Sequence, residues 1–402
     1  MTSSRPSWAY TLPATLLLMA PFDILASLGM DIYLPVVPAM PGLLGTTSAL
    51  VQLTLSLYLL ILGAGQLIFG PLSDRIGRRP VLLGGAALFV LSSAAAAFAS
   101  SAEVFISWRV LQALGASATL VALFATVRDV YAERPEGVVI YSLFSSILAF
   151  VPALGPIAGA LIAKLGGWPA IFMTLAVLGL LAWAQAWFRW PETWPAKTGQ
   201  AQQSALAVLK SPAFWVYTLG FATGMGTFFV YFSTAPRVLI AQAGYTELGF
   251  SLAFSTVAFV MIATTRMAKS LVNRWGIAGC LARGMFLIAL AALLLALGQI
   301  WLEPSFVSFI VPMWLAAVGI VMTVSVSANG ALAGFNDIAG SAVAIYFCVE
   351  SLIVSLAGTL AVALLNGDTA WPLVVFGLGM SVLVAVGLWL LTRSTTQQPP
   401  SP

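Results

Sequence analysis

Long apolar runs recur along nearly the whole chain. Each has about 20 residues, the length of helix that crosses a hydrocarbon core of roughly 30 Å. Hydrophobic residues make up 60% of the 402 residues and charged residues only 7%, unlike the composition of soluble domains. We therefore predict an all-α membrane protein with twelve transmembrane helices, at residues 11–34, 48–69, 81–99, 103–127, 138–163, 168–188, 213–235, 248–268, 279–299, 305–328, 339–365 and 370–391.

The basic residues predict the orientation of these spans. All but three of the 17 Lys and Arg residues fall in segments that are cytoplasmic if the N-terminus is inside; the exceptions are Lys164, Arg237 and Arg109. Short cytoplasmic loops of membrane proteins carry such an excess. The first span contains Asp23 and has no small-residue cleavage site, so we interpret it as a retained span. Both termini are predicted to be cytoplasmic.

Missing residue types disfavour several functions. The chain has no His, and its two cysteines, Cys280 and Cys348, lie in separate apolar runs that match no zinc-binding spacing. No G-x-x-x-x-G-K-[ST] sequence is present to bind nucleotide phosphates. We expect no cofactor, no metal and no nucleic-acid partner, and we expect any transport to use an ion gradient.

A polar interruption near residues 189–212 divides the predicted spans into six and six. Short segments recur in the two halves: DRIG at 74–77 recurs as NRWG at 273–276, and Gly115 in ALGAS recurs as Gly319 in AVGIV. Transporters are often built from such repeats, with a substrate cavity near the midplane between two bundles. Chance similarity between Gly-rich helices is the alternative. We predict two six-helix bundles, a linker between them and a tail, in the order 1–190, 191–211, 212–391 and 392–402.

Four stretches carry a resemblance to one transporter family. They are GPLSDRIGRRP, FISWRVLQALGAS, VPALGPIAGALI and PFDILASLGMDIYLPVVP, at residues 70–80, 105–117, 151–162 and 21–38. In this arrangement they resemble the major facilitator superfamily and, within it, the bacterial exporters of chloramphenicol and florfenicol. The resemblance implies proton-coupled efflux of phenicol antibiotics across the bacterial inner membrane, which confers resistance.

The first of these stretches is a polar loop between the second and third spans. Gly70 and Gly77 are expected to allow the sharp reversal of the chain. By resemblance, Asp74, Arg78 and Asp129 form a charge cluster that acts as a cytoplasmic latch, joining the halves when the cavity faces outward. Simple topology is the alternative, with basic residues held inside and Asp74 solvated.

Among the acidic and basic side chains within predicted spans, four lie away from the cytoplasmic edge and inside the span ends: Asp23, Asp31, Arg109 and Glu350. Each costs roughly 2.5–3.5 kcal/mol on insertion scales, so a functional role is the default. We predict that they serve proton coupling, with Asp23 as the carrier and Arg109 as a fixed charge that controls its protonation. The alternative for these two is a permanent ion pair. Asp31 is alternatively an exposed or capping acid, and Glu350 alternatively binds drug hydroxyl groups or is inert.

The C-terminal half has no counterpart to the Asp23 and Arg109 pair. The repeat places Gly224 opposite Asp23 and Met313 opposite Arg109. Coupling chemistry is therefore predicted for the N-terminal bundle.

The fifth span has a flat face of small residues and prolines. By resemblance, this antiporter motif packs at the interface between the halves and limits proton leakage. Ordinary small-residue helix packing is the alternative. The residues are Pro152, Gly155, Pro156 and Gly159.

Phenicols are neutral, aromatic and hydroxylated, so they need apolar walls with a few hydrogen-bonding groups. Side chains of this kind occur in five of the predicted spans, and ordinary packing is the alternative for each. The candidates are Phe22, Ser27, Tyr33, Tyr58, Gln112, Phe228, Tyr231 and Tyr346.

We therefore predict a monomeric exporter that exchanges phenicols for protons. The runner-up keeps the fold and exports many drugs or other small molecules. An intramembrane enzyme is disfavoured because the chain offers no His and no nucleophile–base pair. A passive channel is disfavoured because two related halves with acids near the midplane are typical of a carrier that works against a gradient.

Overall fold

The computed structural model describes residues 8–131, 134, 136–193, 205–335 and 339–396. Over these residues the chain is helical and contains no strand. The helices are α1 Leu12–Asp31, α2 Met40–Leu43, α3 Ser48–Ile76, α4 Arg78–Ala96, α5 Ala102–Tyr131, α6 Glu136–Arg189, α7 Pro212–Pro236, α8 Glu247–Trp301, α9 Val311–Ala331, α10 Ala339–Leu364 and α11 Trp371–Thr396. Short 3-10 and π-helical turns lie at Leu34–Val36, Ala205–Lys210, Arg237–Gln242 and Phe306–Ile310.

Ten helical stretches within the described residues are long and apolar enough to cross a membrane. Two of the helices, α6 and α8, have 54 and 55 residues, far more than the roughly 20 that one crossing needs. Each is broken at one glycine with a left-handed backbone, Gly167 (φ 71°) in α6 and Gly276 (φ 68°) in α8. Division of α6 and α8 at these glycines makes the ten described stretches consistent with the twelve predicted membrane helices. The fold class is therefore an all-α membrane protein of two six-helix bundles.

Two predicted segments lie partly outside the described residues. The described part of the predicted linker includes the 3-10 turn Ala205–Lys210. Residues 194–204 of the linker are not described. Helix α11 continues to Thr396, so the first residues of the predicted tail are helical; residues 397–402 are not described.

The chain forms two compact units, Met1–Gln200 and Ala201–Pro402. In the first unit, α5 packs against α3 and α4, and α6 packs against α1 and α4. In the second unit, α7 packs against α9, α10 and α11, and α8 packs against α9 and α11. Many large apolar side chains stay exposed on both units, as expected for helices that face lipid.

Corresponding glycines form the same helix crossing in each unit. A Cβ atom on Gly115 of α5 would lie 2.6 Å from the carbonyl oxygen of Gly85 of α4. A Cβ atom on Gly319 of α9 would lie 2.7 Å from the carbonyl oxygen of Gly284 of α8. Only residues without a side chain allow backbones to approach this closely. These contacts fix how α4 and α5, and likewise α8 and α9, are rotated about their axes. They therefore determine which side chains of these helices face the interior of each unit.

Turns and helix caps also correspond between the units. The chain reverses between α3 and α4 at Gly77 (φ 106°), and α8 breaks at its counterpart Gly276. Thr47 and Thr246 accept hydrogen bonds from backbone N–H groups at the starts of α3 and α8. The structure therefore supports an internal repeat, because chance similarity does not place the same turn and cap at equivalent positions.

Candidate functional site

Arg109 is fully buried on α5 and lies inside a cage of polar and aromatic groups. Its Nη1 atom donates to the carbonyl oxygen of Gly29, at 2.7 Å, and to Oε1 of Gln112. The guanidinium carbon lies 4.7 Å from the ring centre of Tyr33 and 4.5 Å from that of Tyr58, distances that favour cation–π attraction. Among the described residues, the Nε and Nη2 atoms have no hydrogen-bond partner. The cage therefore holds the cation and leaves two donors unused.

Hydrogen bonds fix the groups that form this cage. Gln112 donates to the hydroxyl of Ser93 on α4 at 2.7 Å, which ties Arg109 to a third helix. The hydroxyl of Tyr58 donates to the carbonyl oxygen of Ala26 at 2.8 Å. In this structure Tyr58 and Gln112 therefore contact Arg109 and the groups that hold it in place.

Asp23 and Asp31 are buried on α1, with 7% and 4% of each residue exposed. The interpretation of Asp31 as an exposed acid is therefore wrong, because the packing of α1 covers it. No ion pair within the described part of the chain involves Asp23, Asp31 or Arg109. The structure thus does not contain the alternative Asp23–Arg109 pair. The Oδ2 atom of Asp23 also has no hydrogen-bond partner among the described residues.

The small residues of the fifth-span motif, on α6, pack against the end of α1. A Cβ atom on Gly155 would lie 3.1 Å from Cβ of Asp31, and a Cβ atom on Gly159 would overlap the carbonyl oxygen of Ile32. Pro152 is buried on the same helix. These described contacts of the glycines lie within the N-terminal unit, where they close one side of the Asp31 environment.

The residues predicted to form the latch lie together at the turn between α3 and α4. Arg78, 3% exposed, donates to Asp74 at 2.7 Å, to Asp129 at 2.8 Å and to the hydroxyl of Ser73 at 3.2 Å. One guanidinium thus connects the end of α3 with the last turn of α5. The arrangement neutralises a buried cation with two carboxylates.

The prediction that Gly70 shares in the chain reversal is wrong. Gly70 lies within α3, where a Cβ atom would meet nothing within 4 Å. The chain reversal requires a left-handed backbone, and in this turn only Gly77 has one.

Most of the candidate drug-lining residues are buried, and they form separate groups in the two units. In the N-terminal unit, Phe22 packs edge-on against Trp190, with ring centres 5.8 Å apart, while Ser27 is half-buried. In the C-terminal unit, Tyr231 stacks on Phe254 with ring centres 4.8 Å apart, and Phe228 lies beside both. These aromatic side chains pack against neighbours of their own unit, and Phe22 also lines a small cavity with Phe89 and Thr119.

Glu350 and Tyr346 lie one turn apart on α10 and are both buried. Glu350 accepts a hydrogen bond from Ser351 at 3.2 Å. The hydroxyl of Tyr346 has no hydrogen-bond partner within the described residues. The described part of the chain also contains no group of three or more His, Cys, Asp or Glu side chains that could hold a metal ion.

Comparison with known proteins identifies the family. A family model described as Major Facilitator Superfamily matches residues 23–358. The chain belongs to the major facilitator superfamily. Its members are transporters, so the chain is a multi-pass membrane protein of a transporter family, and the predicted resemblance is confirmed.

Two curated relatives within the superfamily are similar over most of their length. A Pseudomonas aeruginosa protein named "Chloramphenicol resistance protein" is 50% identical over 394 residues, which cover 98% of this chain and 94% of that protein. "Multidrug resistance protein MdtL" of Shewanella sp. (strain ANA-3) is 29% identical over 346 residues, which cover 84% and 87%.

A solved structure supports the fold alone. The structure titled "Crystal structure of a POT family transporter in complex with 5-aminolevulinic acid" superposes with a TM-score of 0.74 and covers 96% of both chains, at 13% identity.

Sequence reasoning missed Glu192, which completes the α3–α4 turn. Its carboxylate accepts from the backbone N–H of Arg78 at 2.9 Å and of Arg79 at 3.2 Å, at the N-terminus of α4. Such an acid satisfies free N–H groups and opposes the helix dipole. Glu192 lies in the segment predicted as linker, directly after a span, and the Pro-Glu-Thr sequence at that end was the available signal.

Sequence reasoning also missed the aromatic cluster at the start of α1. Trp8 packs edge-on against Trp190, with ring centres 5.4 Å apart, and its Nε1 atom donates to Thr15 at 2.9 Å. Trp190 in turn packs against Phe22. Nothing in the sequence pairs residues so far apart, although both tryptophans border predicted spans.

Proposed function

We propose that this protein exports phenicol antibiotics such as chloramphenicol and florfenicol in exchange for protons, and so confers resistance. The observation that carries the proposal is the 50% identity, over 98% of the chain, to a protein named for chloramphenicol resistance. We also propose that the protein is a monomer of the bacterial inner membrane, a location that its bacterial relative and its family support. The distribution of Lys and Arg favours cytoplasmic positions for both termini.

Asp23 is the proposed proton carrier. It is buried, it has no ion-pair partner among the described residues, and its Oδ2 atom accepts no hydrogen bond from them. A buried carboxyl group without a cation beside it avoids the cost of a buried charge by holding a proton. Asp31, two turns further along α1, is proposed to belong to the same proton path.

Arg109 is the proposed fixed charge of the coupling site. A guanidinium does not lose its proton, so it favours the charged form of an acid that approaches it and has no such effect when the acid is distant. The unused Nε and Nη2 donors are available for that approach. Movement of α1 relative to α5 would then control whether Asp23 holds its proton.

In the proposed cycle, protonation of Asp23 from the periplasm lowers drug affinity and permits the return to the inward-facing state. Drug binding from the cytoplasm or the inner leaflet then favours release of the proton. Exchange of a neutral drug for a proton moves net charge. Export should therefore respond to membrane potential as well as to pH.

We propose that the cluster of Asp74, Arg78 and Asp129, together with the turn at Gly77, is the cytoplasmic latch of the outward-facing state. The buried ion pairs of Arg78 support this role, because a pair of this kind has two discrete states, made and broken. The α6 motif is proposed to limit proton leakage beside Asp31, on the contacts of Gly155.

The drug is proposed to contact aromatic and polar side chains of both units. Those of the N-terminal unit lie on α1, just after it, and on α3 and α5, and those of the C-terminal unit lie on α7 and α10. They are Phe22, Ser27, Tyr33, Tyr58 and Gln112 in the first, and Phe228, Tyr231 and Tyr346 in the second.

The test is accumulation of labelled chloramphenicol in cells that express the wild type or Asp23→Asn, with and without a protonophore. Glu303→Gln is the matched control, because Glu303 is an exposed acid outside the spans. We expect the wild type and the control to exclude drug only while the gradient exists, and Asp23→Asn to be expressed but inactive. Equal exclusion by Asp23→Asn would contradict the carrier assignment, and failure of the wild type would contradict phenicol export.

A second candidate function is export of a broader range of drugs by the same mechanism. The similarity to the protein named "Multidrug resistance protein MdtL" favours it. Competition between chloramphenicol and lipophilic cationic dyes for export distinguishes the two, because a phenicol-specific carrier is not inhibited by the dyes.

A further inference from the structure

The seam between α7 and α10 of the C-terminal unit contains polar groups that the proton-coupling scheme does not use. Tyr346 of α10 contacts Phe214 and Phe221 of α7, with ring centres 6.5 Å and 5.4 Å apart. Two turns beyond Glu350, Gly358 of α10 contacts α7 again. Glu350 lies between these contacts, so it occupies the α7-facing side of α10.

Two hydroxyl groups in this seam are buried without a hydrogen-bond partner among the described residues: those of Tyr346 and Thr218. Thr218 lies on the same side of α7 as Phe214 and Phe221, at helical spacing. An unpaired buried hydroxyl costs free energy that a ligand hydrogen bond would recover.

Thr218 also differs from the other threonines of α7. Thr223, Thr227 and Thr234 each donate to the backbone carbonyl four residues earlier, at 2.7–2.8 Å. Thr218 makes no such bond, although Phe214 offers the same carbonyl. Its hydroxyl group is therefore left for another acceptor or donor in the seam.

Glu350 itself has spare capacity to accept hydrogen bonds. A carboxyl group keeps several acceptor positions on its two oxygens even when it holds a proton, and the described residues use one, through Ser351. No Lys or Arg of the described chain pairs with Glu350. Tyr346, one turn before Glu350 on α10, packs against the aromatic rings of α7.

We propose that Glu350, Tyr346 and Thr218 bind the hydroxyl-bearing arm of the phenicol, with Glu350 accepting a hydrogen bond from the drug's terminal hydroxyl group. A carboxyl group beside two hydroxyl groups in an aromatic seam fits a neutral ligand that carries both an aromatic ring and a diol. This inference rests on the proposed export of phenicols. It makes Glu350 a specificity-determining residue rather than a second proton carrier.

Thiamphenicol and florfenicol are a matched pair for the test, because the terminal hydroxyl of the first is replaced by fluorine in the second. The experiment measures gradient-driven uptake of both drugs into inside-out vesicles that contain the wild type, Glu350→Leu or Glu350→Gln. We expect the wild type to have a KM for thiamphenicol roughly tenfold below that for florfenicol, since a site built for a hydroxyl group disfavours the analogue without it.

Glu350→Leu should bring the two KM values together by raising that of thiamphenicol. Glu350→Gln, which keeps an acceptor oxygen, should retain most of the preference and the full dependence on the proton gradient. Tyr346→Phe and Thr218→Val should each reduce the preference by a smaller factor. Cys348→Ala is the control, because Cys348 is buried on the same helix but points away from Glu350's side, and it should leave the ratio unchanged.

An unchanged KM ratio in Glu350→Leu would overturn the inference while phenicol export stands. Loss of gradient-driven transport of both drugs in Glu350→Gln would also overturn it and would assign Glu350 to proton coupling. If wild-type vesicles transport neither drug, the proposed function fails, and the inference fails with it.

Discussion

The two units repeat the same helix crossing but bury different chemistry beside it. The backbone contact of Gly115 in the first unit is repeated at Gly319 in the second. Six residues before each of these glycines stands a fully buried side chain, Arg109 in the first unit and Met313 in the second. One crossing therefore carries a caged cation and the other carries an apolar side chain.

The aromatic groups of the two units also differ. The guanidinium of Arg109 lies over the rings of Tyr33 and Tyr58, whereas in the C-terminal unit Tyr231 stacks with the rings of Phe254 and Phe309. The comparison teaches that small-residue contacts determine the shared backbone, while the difference between Arg109 and Met313 at equivalent positions gives a buried cation to one unit alone.

The largest expected effect comes from making the first unit resemble the second. Arg109→Met removes the fixed charge that controls protonation of Asp23, so we expect gradient-driven export to fall roughly hundredfold, within the range for disabling a positioned proton-transfer system. Drug uptake into energised vesicles measures it, with expression checked on the same membranes. Export within about threefold of the wild type would contradict the assignment of coupling to this unit.

The reverse substitution, Met313→Arg, should destabilise the protein. Met313 is fully buried, and a charge placed there costs roughly 2.5–3.5 kcal/mol on insertion scales. The expected result is a lower yield of folded protein and a lower Tm in detergent. Met313→Leu, which nearly conserves volume, is the control and should cost less than about 1.5 kcal/mol. Equal Tm values for the two variants would show that the second unit tolerates the charge.

Alanine at the crossing glycines should affect both units alike. Gly115→Ala and Gly319→Ala each force a Cβ atom against a carbonyl oxygen of the facing helix, so we expect a loss of roughly 1–3 kcal/mol in each. Gly84→Ala is the control, because a Cβ atom there meets nothing within 4 Å. Thermal unfolding measures all three, and a loss confined to one unit would break the proposed equivalence of the crossings.

The smallest expected effect is that of Glu192→Gln at the α3–α4 turn. The amide keeps one acceptor for the N–H groups of Arg78 and Arg79 but loses the charge at the helix N-terminus, worth roughly 0.3–1 kcal/mol. We expect a small decrease in Tm that disappears at high salt, since salt screens this interaction. A salt-independent decrease would mean that packing against Gly77, and not charge, is what Glu192 provides.

The sequence was sufficient to predict the class and the family. Apolar runs of about 20 residues leave few alternatives for a chain in lipid, because backbone groups there must be paired within helices. The repeat of DRIG as NRWG predicted equivalent positions, and the structure places a left-handed glycine at Gly77 and Gly276.

The contacts of the site were harder to predict. That Tyr33 and Tyr58 enclose Arg109 depends on the rotation of α1 and α3 about their axes, which hydropathy does not determine. Gly70 was misplaced because glycine in a loop-like sequence also fits within a helix. Glu192 was missed because its partners are more than a hundred residues away in the sequence.

The most direct test of the account is proton release when purified protein in weakly buffered detergent solution binds chloramphenicol. A pH indicator compares the wild type, Asp23→Asn and Glu350→Gln, with drug binding measured in parallel. The account predicts proton release by the wild type and Glu350→Gln, and drug binding without proton release by Asp23→Asn. Release by Asp23→Asn at the wild-type level, or its loss in Glu350→Gln, would contradict the assignment of proton coupling to the N-terminal unit.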